Sequence, residues 1–271
     1  MRFCRMFIYD LRNSMKYNLV VYLLTACMMA LACMNYESAV RMYNKTEQFK
    51  EAGYQEYMLN IVRGMEKISE DSVARGQINI PVAYIGIAVF ISYITGRYIF
   101  KDNVYTVLIR GQSRTAWIVS KSLTTGVQIV LVYIIALAVS LLFGGTEAGV
   151  EISRCKGFMK IENVRPEALE QPLFLVLTLV VPAVTAYAIA QLQIAVALIF
   201  GNITGFITAI IIYFGSVFEY NILMLGNGCM VQRSLYFMDN GLSVKIILLL
   251  DVFVILAAMA VQIFTARKKD W

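Results

Sequence analysis

The sequence predicts an all-α membrane protein with six transmembrane helices, and its composition and charge pattern both support this. Of its 271 residues, 59% are hydrophobic and only 15% are charged, whereas about a quarter of the residues in a soluble domain are charged. The charged residues are gathered in clusters between long apolar runs. A membrane-spanning β-barrel would instead show alternating segments of about ten residues. We therefore expect residues 1–271 to form a single transmembrane domain.

Six apolar segments are close to, or longer than, the roughly 20 residues that a membrane-spanning helix needs. They occupy residues 17–36, 78–95, 117–143, 173–200, 203–218 and 242–266. The fourth segment is longer than a bilayer requires, and Pro182 within it predicts a kink. Only Gly201 and Asn202 separate the fourth segment from the fifth, which predicts a tight hairpin.

The distribution of charge predicts the orientation of these segments. If the N-terminus is cytoplasmic, the inner segments, counted together with Lys121 at the start of the third span, hold twelve basic and three acidic residues. The outer segments 37–77 and 144–171 then hold ten basic and twelve acidic residues. Basic residues accumulate on the cytoplasmic side of membrane proteins, so both termini are expected in the cytoplasm. Because topology accounts for the basic excess, nucleic acid is not an expected partner.

The first sixteen residues are amphipathic. Apolar residues including Phe3, Phe7 and Leu11 fall on one side of a helical projection, and Arg5 and Arg12 fall on the other. This pattern predicts that residues 1–16 form a helix lying in the inner membrane interface, held by apolar burial and anionic lipid. A secretory signal peptide is the alternative, although its apolar core would be shorter than segment 17–36.

The cytoplasmic segment 96–116 is strongly basic, and its apolar residues recur at helical spacing. We expect a short helix across the membrane face that docks a cytoplasmic partner. The alternative is an ordinary positively charged loop. The candidate docking residues are Asp102, Val104, Val107, Leu108, Arg110 and Arg114.

Two outer segments are predicted to be ordered rather than free loops. The residues between Glu47 and Met65 predict a helix packed on the outer ends of the bundle. Residues 219–241 are apolar and punctuated by glycine. Such a segment predicts a re-entrant or interfacial hairpin, which a membrane protein tolerates where other protein covers its backbone.

Four polar side chains within the predicted spans are candidates for a translocation path: Asp251, Gln128, Gln191 and Gln193. A carboxylate in a membrane is costly and usually faces the bundle interior or water. The alternative for Asp251 is a hydrogen bond to another span, with the carboxyl group protonated. The alternative for the three glutamines is hydrogen bonding between helices.

No catalytic or metal site is predicted. The chain has no histidine, which excludes histidine-based triads and removes the most common metal ligand. It has no GxxxxGK[ST] loop, so it is not expected to bind nucleotide through one. Cys155 and Cys229 alone fall on the predicted outer, oxidising side, where a disulfide between them is an open alternative.

Several stretches resemble the membrane subunits of ABC-2-type ABC transporters, in particular the small permeases of Gram-positive bacteria. They are GRYIFKDN (residues 96–103), LIRGQSRTAWIVSK (108–121), EYMLNIVRGME (56–66) and GNGCMVQRS (226–234). The resemblance implies the type V exporter-like fold. This fold has an amphipathic N-terminal helix, six spans, a cytoplasmic coupling helix after the second span and re-entrant helices before the sixth. Where many relatives carry a glutamate and a Gly-Thr pair, this chain has Val104, Tyr105 and Thr106.

The resemblance also implies a function and partners. The chain is expected to be a non-catalytic permease subunit in the bacterial cytoplasmic membrane, exporting a peptide, antibiotic or lipid-like substrate. A second permease chain, identical or different, would lie beside it, and a separate ATPase subunit would bind ATP and Mg²⁺ and dock on residues 102–114. A membrane-embedded sensor or scaffold, or an enzyme subunit, is the alternative. An enzyme would need a cluster of acids or metal ligands that the sequence lacks.

Overall fold

The computed structural model describes residues 2–44, 52–68, 80–100, 113–146, 149–157, 159, 161 and 164–268. These residues form helices, short 3-10 turns and connecting segments, and their only β-pairing is an isolated bridge between Ser234 and Leu242. The helices are α1 (Arg2–Asn44), α2 (Tyr54–Val62), α3 (Val82–Phe100), α4 (Arg114–Gly144), α5 (Ile152–Gly157), α6 (Gln171–Phe200), α7 (Asn202–Phe218) and α8 (Val244–Lys268).

Six apolar helices lie where the sequence predicts six spans. Among the described residues, α1, α4, α6 and α8 are long and apolar enough to cross a membrane, whereas α3 and α7 are shorter apolar helices. Helix α6 packs against both α7 and α8, and α1 packs against α4. Helix α8 buries only one stripe of residues and exposes most of its surface, as expected of a helix at the edge of a membrane bundle.

The six apolar helices connect two ends of the bundle, and consecutive helices run in opposite directions. At one end, Arg114 at the start of α4 contacts the end of α8, and Gly96 near the end of α3 approaches Asn202 at the start of α7. At the other end, Gly144 at the end of α4 meets the start of α2. We call the first the basic end, because the arginines of α3, α4 and α8 lie there. The second is the capped end, because α2, α5 and residues 219–243 cover it.

Helix α1 corrects the prediction of a separate interfacial helix at residues 1–16 followed by a span at 17–36. The structure shows one uninterrupted helix of 43 residues. Its first turns pack on the bundle, because Asp10, Ser14 and Asn18 form a buried polar face one helical turn apart. Residues 2–16 therefore belong to the same continuous helix as residues 17–36 and pack on the bundle.

Helix α6 contains a π-helical turn a few residues before Pro182, where the sequence predicts a kink. A π-helical turn occupies Val176–Val180, immediately before Val181–Phe200. Proline cannot donate a backbone hydrogen bond and crowds the preceding turn, which favours a local widening there. Within that turn, the Thr178 hydroxyl donates to the Phe174 carbonyl at 2.8 Å. The predicted hairpin is confirmed, because Gly201 (φ +100°) alone separates α6 from α7.

The helix predicted between Glu47 and Met65 is present as the shorter α2, and eight of its nine residues are buried. Glu47 lies outside the described residues. Residues 219–241 form a compact segment that contains the 3-10 turns Leu225–Cys229 and Val231–Arg233, both buried. Its burial agrees with the expectation that protein covers this backbone. The capped end is therefore a packed layer, in which α2 and residues 219–243 lie over the helix ends.

Candidate functional site

The predicted docking segment is described only at its edges. Asp102, Val104, Val107, Leu108 and Arg110 lie outside the described residues. Arg114, the first residue of α4, is described: its Nη1 donates to the carbonyls of Ala266 and Arg267 at 3.3 and 3.0 Å. A cation at the C-terminus of a helix stabilises its free carbonyls and complements its dipole. Arg114 therefore joins the start of α4 to the last turn of α8.

A buried ion pair holds α1 to α4 at the same end. Lys121 Nζ lies 3.2 Å from Asp10 Oδ1, and the two side chains are 2% and 0% exposed. The Ser120 hydroxyl donates to the other carboxylate oxygen, Asp10 Oδ2. From the sequence, the two residues count only among the charges of the predicted inner side. Losing either one would leave the other buried and uncompensated, which is strongly destabilising.

A small apolar cluster beside this ion pair joins four helices at the basic end. It contains Trp117 and Ile118 of α4, Ile194 and Leu198 of α6, and Ala266 of α8. Met6 of α1 packs against it. A displacement at the start of α4 would therefore be transmitted directly to α1, α6 and α8.

The candidate path residues are all buried, and three of the four make hydrogen bonds between helices. The Gln193 amide donates to the Ser92 carbonyl at 2.7 Å, and Gln262 of α8 donates to both the carbonyl and the side-chain oxygen of Gln191. The Thr185 hydroxyl donates to Asp251 Oδ2 at 2.6 Å. These contacts favour the helix-packing alternative, and a role in translocation stays a prediction.

Three of these residues keep unpaired polar atoms. Both amide atoms of Gln128, the Gln191 amide nitrogen and Asp251 Oδ1 are buried without a hydrogen-bond partner among the described residues. Unpaired buried polar atoms cost free energy, which an arrangement that pairs or hydrates them would recover.

A second buried ion pair organises the capped end. The Glu56 carboxylate of α2 accepts hydrogen bonds from Tyr36 Oη (2.9 Å), the Glu151 amide (2.6 Å) and Arg154 Nη2 (2.9 Å). Glu56 is fully buried, and the side chain of Arg154 is 2% exposed. Three elements, α1, α2 and α5, thus meet at one carboxylate, so Glu56 fixes the position of α2 over the bundle.

Arg233 is the centre of the segment that precedes α8. Its guanidinium is buried and donates to the backbone carbonyls of Met65, Glu66, Ser216 and Val217, and to the side-chain oxygen of Asn227. Burial lowers the pKa of Arg233 to about 10, which still leaves it charged at neutral pH. The Ser216 and Val217 carbonyls belong to the last turn of α7, so Arg233 fastens residues 219–243 to that helix end.

The structure corrects the candidate disulfide. Cys155 and Cys229 are both free and buried. Burial is the main cause that raises the pKa of the Cys155 thiol to about 12, and the thiol lies near the Glu56–Arg154 pair. The Cys229 thiol donates to the Pro182 carbonyl at 3.6 Å. The two cysteines are held in separate surroundings, which the sequence could not show because it gives only the side of the membrane.

The capped end also contains an open cavity of about 580 Å³ between α1, α2 and the start of α3. Its wall includes the polar residues Asn35, Asn60 and Arg63, and the aromatic residues Tyr36 and Tyr84. None of the four predicted path residues lines it. Sequence reasoning missed this cavity, because its wall is assembled from three distant segments with no common motif. The one available signal was a single arginine, Arg63, within an otherwise apolar stretch.

Metal-binding geometry is absent from the described part of the chain, where no three His, Cys, Asp or Glu residues come together. In the structure, four helices are joined at the basic end, and a packed layer covers the capped end. Hydrogen bonds between helices close the interior of the bundle. Comparison of the chain with protein-family models, with curated proteins and with solved structures finds no match.

Proposed function

We propose that this chain is the membrane-spanning permease subunit of an ABC transporter, powered by a separate cytoplasmic ATPase. The observation that carries the proposal is the alternation of six apolar helices between a basic end and a capped end. The four-helix junction at Trp117 supports it further. In this proposal all six helices span the membrane, and the basic end and both termini are cytoplasmic, as the excess of basic residues predicts.

The proposed coupling route runs from residues 102–114 into α4. The ATPase docks on this segment, and ATP binding and hydrolysis move it. Arg114 is the last residue of the segment and connects α4 to α8, and Lys121, two turns further on, connects α4 to α1. The route needs no additional element to transmit the movement, because the first two turns of α4 contact three other helices. A switch between inward- and outward-facing arrangements would then break interior contacts such as those of Gln191 and Asp251.

The proposed cargo is a peptide, antibiotic or lipid-like molecule. Large apolar side chains are exposed along α1, α7 and α8, and the described interior presents buried hydrogen bonds rather than an open polar channel. Amphipathic cargo suits such surfaces better than a hydrophilic solute does. The same exposed helices offer surfaces for a second permease chain as well as for lipid.

The orientation is testable by cysteine labelling in intact cells. In a background without the exposed Cys4 and Cys27, we expect Glu167→Cys to react with a membrane-impermeant maleimide. We expect Lys268→Cys to react only after the cells are made permeable. Both native side chains are exposed, so burial would not block the reaction. Labelling of Lys268→Cys from outside would contradict the six-span arrangement.

Docking is testable by replacing the apolar face of the segment. We expect Val107→Asp combined with Leu108→Asp to lower ATPase co-purification by at least about a hundredfold, because two buried aliphatic contacts are worth several kcal/mol. Ile152→Asp is the control, since it adds a charge at an exposed apolar position of the capped end. Equal recovery of the ATPase with both variants, at matched expression, would show that residues 102–114 are only a charged loop.

A further inference from the structure

Among the described residues that line the cavity at the capped end, only Arg63 is charged. Its guanidinium donates a long hydrogen bond from Nη1 to the Met159 carbonyl at 3.3 Å. Burial lowers the pKa of Arg63, although the negative charge of Glu66 opposes this effect. A partly desolvated cation beside an open cavity attracts an anion, because the anion replaces the solvation that the cation has lost.

The polar side chains near Arg63 are suited to a ligand that also offers hydroxyl groups. Asn35 and Asn60 line the same cavity, and the Asn60 amide nitrogen already donates to the Ala32 carbonyl at 3.2 Å. The side-chain oxygen of Asn60 can still accept a hydrogen bond, and exposed Asn35 can both donate and accept. The cavity thus combines one cation with neutral amides.

The rim of the cavity is apolar and outward-facing. The lining residues Ile80 and Val82, before and at the start of α3, are 65% and 71% exposed. In a membrane these side chains face acyl chains rather than water. A soluble anion would gain nothing from this rim, whereas a lipid would place its headgroup at Arg63 and its chains along the rim.

We propose that this cavity binds the headgroup of an anionic membrane lipid. The lipid phosphate would accept hydrogen bonds from Arg63, its headgroup hydroxyls would bond to Asn35 and Asn60, and its acyl chains would leave past Ile80 and Val82. Such a lipid would bridge α1, α2 and α3 at the capped end. The site lies at the opposite end of the bundle from Arg114 at the start of α4, so its occupancy does not require the ATPase.

The test is native mass spectrometry of the full-length protein in detergent supplemented with phosphatidylglycerol. We expect the wild-type protein to retain one phosphatidylglycerol molecule, and Arg63→Gln to reduce retention about tenfold or more. Lys67→Gln is the matched control, since it removes one exposed positive charge of the capped end that does not line the cavity. Arg63→Lys should retain intermediate binding, because it keeps the charge but loses the planar donor fork.

A second variant covers the case in which Arg63→Gln fails to fold. Ala83 lines the cavity, so Ala83→Trp should fill it and displace the lipid while leaving Arg63 in place. Equal lipid retention by wild type, Arg63→Gln and Ala83→Trp would overturn the proposal.

Two further experiments use phosphatidylcholine as an alternative lipid and glycerol phosphate as a competitor. Equal retention of phosphatidylcholine would refute selection for an anionic headgroup, and displacement by millimolar glycerol phosphate would show a phosphate site that does not need a lipid.

Discussion

Arg233→Met is expected to be the most destabilising single substitution in the capped end. Methionine keeps much of the side-chain volume but removes every donor, and so leaves the carbonyls of Met65, Glu66, Ser216 and Val217 without their buried partner. Removing one side of a buried, charge-assisted network typically costs about 3–5 kcal/mol. Thermal unfolding in detergent, followed by tryptophan fluorescence, should show a large fall in the midpoint temperature.

Two further variants make this prediction specific to Arg233. Arg233→Lys should unfold between the wild type and Arg233→Met, because an ammonium group keeps the charge but has only three donors for five acceptors. Arg165→Met removes an exposed arginine from the same end and should unfold as the wild type does. Equal midpoints for Arg233→Met and Arg165→Met would show that the network contributes little to stability.

Glu56→Gln is expected to produce the second large loss of stability. The substitution preserves shape but removes the charge that compensates Arg154, whose side chain is 2% exposed. An uncompensated buried charge costs about 3–5 kcal/mol. Glu37→Gln is the contrast, since its ion pair with Arg41 lies on the surface and should be worth little. Thermal unfolding of the two variants should therefore differ clearly.

A double substitution separates the ion pair from simple packing. Replacing both Glu56 and Arg154 with leucine removes the two charges together and should be less destabilising than Glu56→Gln alone, because no unpaired charge then remains buried. A double variant that is less stable than the single variant would show that the Tyr36 and Glu151 contacts of Glu56 matter more than the ion pair.

Apolar segment length was enough to predict where the helices of the bundle lie. All six apolar helices occupy the predicted positions, and the hairpin at Gly201 and the buried helix Tyr54–Val62 follow from local sequence signals. These features depend on residues that are close together in the chain. Local patterns carry such information reliably, because they reflect helix periodicity and turn chemistry.

The contacts that organise the two ends could not be predicted in the same way. Asp10 and Lys121 are far apart in sequence, and each alone resembles an ordinary charge of a cytoplasmic surface. Their pairing makes the early turns of α1 part of the bundle, which the amphipathic pattern of residues 1–16 did not reveal. The contacts of Arg233 could not be predicted either. Four of its five partners are backbone carbonyls, which side-chain patterns do not identify.

The most direct test of the permease assignment is to purify the tagged wild-type chain from its native membrane and quantify the soluble proteins that accompany it. We expect to recover an ATPase with a P-loop, in about one-to-one ratio with this chain. The ATPase should be lost when Val107 and Leu108 are replaced by aspartate. If the folded chain is recovered in mild detergent without any such ATPase, the permease proposal is wrong, and a sensor or scaffold becomes the better explanation.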